Sequence, residues 1–317
     1  MISHRRGSIV LAAAVIAAAM YAGLQIYLHH AVDRHLQAAV RTTPELTDIR
    51  YGHMDVSLLP FGVELRNVEL VTAGGARPIP IRRVNLNRFT AGRVLPEHLA
   101  LSLYGARIHH THPAAGPIDN LMQRLAMDTL DIDIHIRLVK DPVQENAWCG
   151  HVELHVRPAG ILRLALAVDH LDEDGMARAL DNPLNWLAVL PPVGIRAAAL
   201  EFEEGGLVTR IISDRARRSG LTPAAARRRI GQEIETAARR KKILPLGHLL
   251  SAFVSDPVRI GYYTGNVTPV YMGRLMWSRR VRDWLRPLQV RGALASAPRN
   301  VPWMTTAAAI PGKPPHP

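Results

Sequence analysis

Residues 130–138 read Leu-Asp-Ile-Asp-Ile-His-Ile-Arg-Leu. Leu130, Ile132, Ile134, Ile136 and Leu138 are aliphatic, and Asp131, Asp133, His135 and Arg137 stand between them. Side chains of a strand point alternately to its two faces, so this period of two puts an apolar row on one face and a charged row on the other. A helix, with about 3.6 residues per turn, would scatter both sets around its circumference. Residues 151–157 repeat the pattern with Val152, Leu154 and Val156, and residues 161–168 repeat it with Leu162, Leu164, Leu166 and Val168. The three stretches predict a meander of antiparallel strands with one apolar and one polar face.

Upstream, 47–58, 61–72, 79–88 and 97–108 read as four more strands, punctuated by Pro60, Gly74-Gly75, Pro78 and Pro96. Residues 195–204 supply another and end at Gly205-Gly206. The period then changes. Residues 207–218 read as a helix closed by Ser219-Gly220. Thr222-Pro223 is a helix start, and that helix runs to about Lys242 with Ala225, Ile230, Ile234 and Ala237/Ala238 on one face. A third helix is expected over 246–255, strands over 258–264 and 268–277, and a helix over 279–286. From 297 onward the chain is rich in proline and small residues and reads as a disordered tail.

Ahead of all this, Ile9 to Leu28 reads IVLAAAVIAAAMYAGLQIYL, and no charged residue stands between Arg6 and Asp33. About 20 apolar residues in a helix span a hydrocarbon core of roughly 30 Å. A cleaved signal peptide is the competing reading, with Ala17-Ala18-Ala19 as its cleavage site. The apolar run continues past that point through Tyr21, Leu24, Ile26 and Tyr27, which favours an uncleaved anchor. Arg5 and Arg6 precede the run, so the positive-inside rule places the N-terminus in the cytoplasm. In a bacterium the remainder would be periplasmic.

The organisation expected is therefore α+β and mainly β. It comprises a transmembrane anchor over 1–30, a juxtamembrane helix over 31–45, a β-rich periplasmic domain over 46–205, a basic helical segment over 206–256, completing strands and a short helix over 257–296, and the tail over 297–317. Of 317 residues, 48% are hydrophobic, enough for a real core. The single cysteine, Cys149, rules out an intrachain disulfide. The net charge of +12 points to polyanionic partners. With only 5% aromatic residues there is no stacking platform for nucleic acid, and beside an anchor the nearest polyanion is anionic lipid.

The stretch 50–103 carries a family likeness. Tyr51 and Val56-Ser57-Leu58-Leu59-Pro60-Phe61 lead into Val-Glu-Leu-Arg-Asn-Val-Glu-Leu, followed by alternation at Ile79, Ile81, Val84 and Leu86, then at Leu99, Leu101 and Leu103. An N-terminal anchor followed by this strand-proline-strand pattern resembles the AsmA-like envelope proteins. The resemblance implies a long, curved antiparallel sheet whose apolar concave face is a groove for lipid acyl chains. It covers about 8–110 and is loose from 130 to 205. The chain departs from the large members of that family in its length and in the helical insert at 207–255, so shuttling lipid between two membranes by this chain alone is not implied.

Eleven Arg and Lys residues lie between Arg210 and Lys242, against Asp214, Glu233 and Glu235. The densest runs are Arg227-Arg228-Arg229 and Arg239-Arg240-Lys241-Lys242. Basic amphipathic helices lie on anionic membranes, so these seven residues are the candidate contacts for an anionic phospholipid or an acidic partner. The plain alternative is a solvated helical face. His109-His110-Thr111-His112 lacks a carboxylate or cysteine at ligand spacing, and no metal or other cofactor is expected. His151, Glu153 and His155 would face Asp131, Asp133 and His135 if their strands pair, which reads as cross-strand charge pairing rather than acid–base chemistry. The chain has no Walker loop, GxGxxG, HExxH or GxSxG, and no catalytic residue is assigned. The expected role is non-enzymatic lipid binding or envelope assembly. The alternative is an anchored adaptor that recruits another envelope protein without lipid cargo.

Overall fold

The computed structural model describes residues 46–294, apart from 59–60, 74–76, 91–94, 113–117, 145, 182–184, 265–267 and most of 277–286, together with helical residues between His30 and Arg41, here α1. The apolar run at 9–28 and the tail from 297 lie outside the described residues. Among the described residues no helix is long and apolar enough to cross a membrane.

The period-two stretches form one large antiparallel sheet. Its strands are β1 (Leu46–Leu58), β2 (Phe61–Thr72), β3 (Ile79–Thr90), β4 (His98–His109), β5 (Thr129–Lys140), β6 (Trp148–Arg157), β7 (Gly160–Asp169) and β8 (Gly194–Glu204), followed after a helical insert by β9 (Arg259–Tyr263) and β11 (Arg291–Leu294). They stand side by side in the order β1 to β9, then β11, so the sheet is open, with β1 and β11 at its edges. A two-residue strand, β10 (Val270–Tyr271), pairs with the start of β8.

Register places all the aliphatic rows on one face. In β1–β4 the rows take one step of three in place of two, at Tyr51/Met54, Leu65/Val68, Ile81/Val84 and Leu103/Ala106. These steps are aligned across the sheet: Tyr51, Val68, Ile81 and Ala106 stand opposite one another, as do Met54, Leu65, Val84 and Leu103. Asn67 and Gly105 take φ of 53° and 65° within the step. In β2 and β4 this inverted backbone turns the side-chain phase over and keeps the aliphatic residues on one face. β5 keeps its strict alternation, so the ladder between β4 and β5 shifts register between Leu103 and Ala106.

Helices cover parts of this apolar face. Val32 and Leu36 of α1 pack on the cluster of Met54, Val56, Val63, Leu65, Val68, Ile79, Ile81 and Ala106. The Tyr51 hydroxyl fixes α1 by donating to Asp33 Oδ1 at 2.9 Å. α2 (Asp119–Arg124) carries Met122 onto Leu125, Met127 and Leu130, over Ile108, Ile132 and Val156. α3 (Glu173–Asp181) and α4 (Trp186–Val189) connect β7 to β8. Between β8 and β9 come α5 (Leu207–Ser219), α6 (Pro223–Lys241) and α7 (Leu244–Ser255), which share a core of Ile212, Ala216, Ala226 and Val254. α7 reaches the sheet: Phe253 meets Phe202 edge-on at 6.1 Å between ring centres, and a Cβ on Gly292 of β11 would fall 2.2 Å from Leu249.

Two expectations need correction. Residues 268–277 are not a strand. Only Val270–Tyr271 pairs, and Met272–Met276 forms a short helix, α8, that buries Leu275. On α6 the packed face is Ala226 and Ala238 with Ile230 and Ile234; of the pair Ala237/Ala238 only Ala238 is buried, and Ala225, half-buried like the two isoleucines, lies outside their cluster. The buried arc is set by α7, where Gly247 lies against Ala238. Of the helix expected over 279–286, Asp283 and Leu285 are helical and the rest lies outside the described residues.

Candidate functional site

The centre of the apolar face is uncovered among the described residues. Three rows cross β4 to β8. One is Leu101, Ile136, Val152, Leu164 and Leu200; the next is Leu99, Leu138, Gly150, Leu166 and Ala198; the third is Leu103, Ile134, Leu154, Leu162 and Phe202. None of these fifteen positions is fully buried. Leu164 and Leu200, which face each other, are 43% and 41% exposed, and Leu162 and Leu166 are each 37% exposed. The opposite face of the same two strands is the reverse, with Ala165, Ala167, Ala197 and Ala199 all buried. At about 4.8 Å between strands and about 6.7 Å between alternate residues, the strip measures about 19 Å by 13 Å.

The strip has a rim. α1 packs over β1–β4 on one side, and Phe253 of α7 closes the other side at Phe202. At one end of the strands lies the Met122 cluster of α2, joined by Leu207 at the start of α5. At the other end is buried Trp148, capped by the Lys140 ammonium 4.9 Å from its ring centre, which in turn reaches Glu173 of α3 at 3.2 Å. The result is a shallow, aliphatic basin without titratable groups on its floor.

The basic residues separate into two groups. On α5, Arg210 donates to the Leu125 and Ala126 carbonyls, and Arg217 and Arg218 hold Asp214 at 3.1 and 2.7 Å. Arg124 of α2 joins them at 3.3 Å, so these cations tie the insert to the sheet. Burial pushes the Asp214 carboxyl up, but the hydrogen bonds from Arg217 and Arg124 and the charge of Arg218 outweigh it and hold it below its ordinary value. On α6 the candidate residues are placed differently. Thr222 caps the helix by accepting from the Ala225 N–H at 3.2 Å, and Lys242 ends it with φ 56°. Arg228, Arg229, Arg239 and Arg240 fall on one solvent face with Gln232 and Thr236, by helical period and exposure. Lys241 and Lys242 are exposed at its end. Arg229 pairs with Glu233 at 3.4 Å, and Arg227 is half-buried, whereas Arg228, Arg239, Arg240, Lys241 and Lys242 have no carboxylate partner among the described residues. Of the seven candidates, the structure therefore brings the other six to the helix surface and turns Arg227 partly inward.

The remaining constellations are internally satisfied. His155 and Arg163 meet Glu153 at 2.6 and 3.2 Å, and Arg163 also holds Glu201 and Glu203. Burial raises the Glu153 carboxyl, but His155 and Arg163 prevail and hold it low. Burial also lowers His151, disfavouring its charged form. Asp133 accepts from the Gly105 N–H at 2.6 Å, and His135 meets Ser102 at 3.0 Å. The strands do pair as the spacing allowed, with Asp133 opposite His155 and His135 opposite Glu153. His109, His110 and His112 diverge to Thr111, Asp119 and the Arg77 carbonyl. Among the described residues no three His, Cys, Asp or Glu side chains converge as metal ligands. Burial pushes the Cys149 thiol up, away from the thiolate form a nucleophile needs.

Compared with protein-family models and with curated proteins, the chain matches none.

Proposed function

We propose that this chain is a membrane-anchored, non-enzymatic lipid-binding protein of the AsmA-like kind, held in a bacterial inner membrane with its sheet in the periplasm. The open strip on β4–β8 receives acyl chains, as the concave side of a curved sheet, and the solvent face of α6 meets anionic headgroups. The observation that carries this reading is the inversion on β7 and β8, where Leu162, Leu164, Leu166 and Leu200 are exposed while the alanines of the opposite face are buried. A contiguous aliphatic patch marks an interaction surface, and covering it gains about 25 cal/mol per Å². The strip carries a single aromatic residue, Phe202 at its margin, among mostly aliphatic ones and lacks charge, which suits hydrocarbon better than a protein hot spot. The apolar run at 9–28 supplies proximity to a bilayer.

The test is native mass spectrometry with lipid extraction on the full-length protein, produced in a bacterial host and released gently from the membrane. Near-stoichiometric phospholipid retained after detergent exchange supports the reading. A lipid-free protein that instead retains a second polypeptide refutes it and favours the adaptor.

A further inference from the structure

One group on the polar face stands outside the satisfied networks. Arg137 of β5 is half-buried, and its guanidinium makes no hydrogen bond or ion pair among the described residues. Its cross-strand neighbours are Ala100 on β4 and His151 on β6, so register sets no carboxylate directly beside it. His98, two residues before Ala100, lies on the same face opposite Val139. His98 and His151 are also half-buried, and neither ring has a polar partner among the described residues. The carboxylates that flank the group are engaged elsewhere. Glu153, diagonal to Arg137, holds His155 at 2.6 Å and Arg163 at 3.2 Å, and Asp141, just past β5, holds Arg196 at 3.1 Å. Burial weighs first against the Arg137 cation, and the charge of Arg88 adds to it. A half-buried guanidinium without an acceptor is costly, and an anion beside it relieves that cost.

We propose that Arg137, His98 and His151 form a binding site for a phosphate group, either as the free ion or carried as a monoester. The guanidinium is a planar fork that donates to two oxygens of an oxyanion at once. Imidazole N–H groups from the strands on either side donate to the remaining oxygens. At about 4.8 Å between strands, with His98 two residues along, the Cα atoms of the two histidines lie about 12 Å apart, a span that two imidazole side chains and a phosphate fill. A carboxylate has only two oxygens, and the fork occupies both. A tetrahedral phosphate has oxygens for all three side chains. The bound anion also favours protonation of the rings, which adds to the attraction. The site lies on the face opposite the basin, so this inference does not depend on what the basin holds.

The test is calorimetric titration of the full-length protein in detergent with inorganic phosphate and, separately, with glycerol 3-phosphate, at fixed ionic strength and with acetate as the comparison anion. At least one of the two phosphate compounds is expected to bind and to raise the melting temperature, and acetate to do neither. Binding of inorganic phosphate alone supports the site as one for the free ion, and tighter binding of glycerol 3-phosphate supports it as one for a monoester. R137Q is expected to weaken binding by at least about tenfold and H98Q/H151Q by about fivefold, while R107Q, on the same face, binds like the native chain. Circular dichroism verifies that each variant is folded. No binding of either phosphate compound, equal binding of acetate, or native affinity in a folded R137Q or H98Q/H151Q chain overturns the proposal.

Discussion

Replacing Leu164 with Gln perturbs the floor of the basin while leaving most of the core intact. Leu164 is 43% exposed and sits opposite Leu200 at 41%. Full burial of a leucine is worth about 1.5–3 kcal/mol, so covering the exposed share with an acyl chain gains about 0.6–1.3 kcal/mol. A glutamine forfeits that and leaves an amide against hydrocarbon, at a further cost of about 1–3 kcal/mol. The sum, about 2–4 kcal/mol, corresponds to binding weaker by about 30- to 900-fold. The fold loses only the already buried share, about 1–1.7 kcal/mol. The assay is displacement of a fluorescent fatty acid from full-length protein, with circular dichroism to verify folding. L164Q and L200Q are expected to bind weakly, and E69Q on the polar face to bind normally. Unchanged binding by a folded L164Q or L200Q would refute the reasoning.

Removing the exposed α6 charges in R228Q/R229Q/R239Q/R240Q should weaken binding to anionic liposomes by up to about 4 kcal/mol at low salt, less what Arg229 already gives to Glu233, and high salt should erase the difference. G247A brings a Cβ within 2.2 Å of the Ala238 Cβ and forces α6 from α7; a loss of about 1–3 kcal/mol is expected, recovered by adding A238G, both read from urea unfolding. Stability should fall on acidification. His151 is held below 6.5 in the folded chain, so the unfolded chain takes up its proton first and stability declines as pH drops from about 6.5 toward the folded value. Glu153, held below 4.5, adds a second loss below about that pH. H151Q should abolish the first decline and keep the second, as measured by urea midpoints across pH.

The strands were legible because period two and turn residues act locally. The reading over 130–138 became β5, at Thr129–Lys140, and 161–168 became β7, at Gly160–Asp169. Short elements left no period to read: α2 has six residues, α4 has four and β11 has four. The segment 268–277 misled because its two paired residues run directly into a helical turn that buries Leu275. For the candidate site, the sequence placed Leu162, Leu164 and Leu166 on an apolar face, but which leucines stay open depends on helices arriving from distant segments. Leu200 alternates within 195–204, but its exposure too depends on where those helices settle. Likewise eleven cations look alike along the chain, yet Arg124 and Asp214, ninety positions apart, meet in space and separate the arginines of α5 that tie the insert to the sheet from the solvent-facing ones of α6.

The most direct measurement is photo-cross-linking in living cells, with a benzophenone amino acid placed at Leu164, at Leu200 or, on the polar face, at Arg107, which is 64% exposed. The account predicts phospholipid-mass adducts at positions 164 and 200 and none at 107. Protein adducts in place of lipid at 164 and 200, or equal lipid labelling at 107, would contradict it.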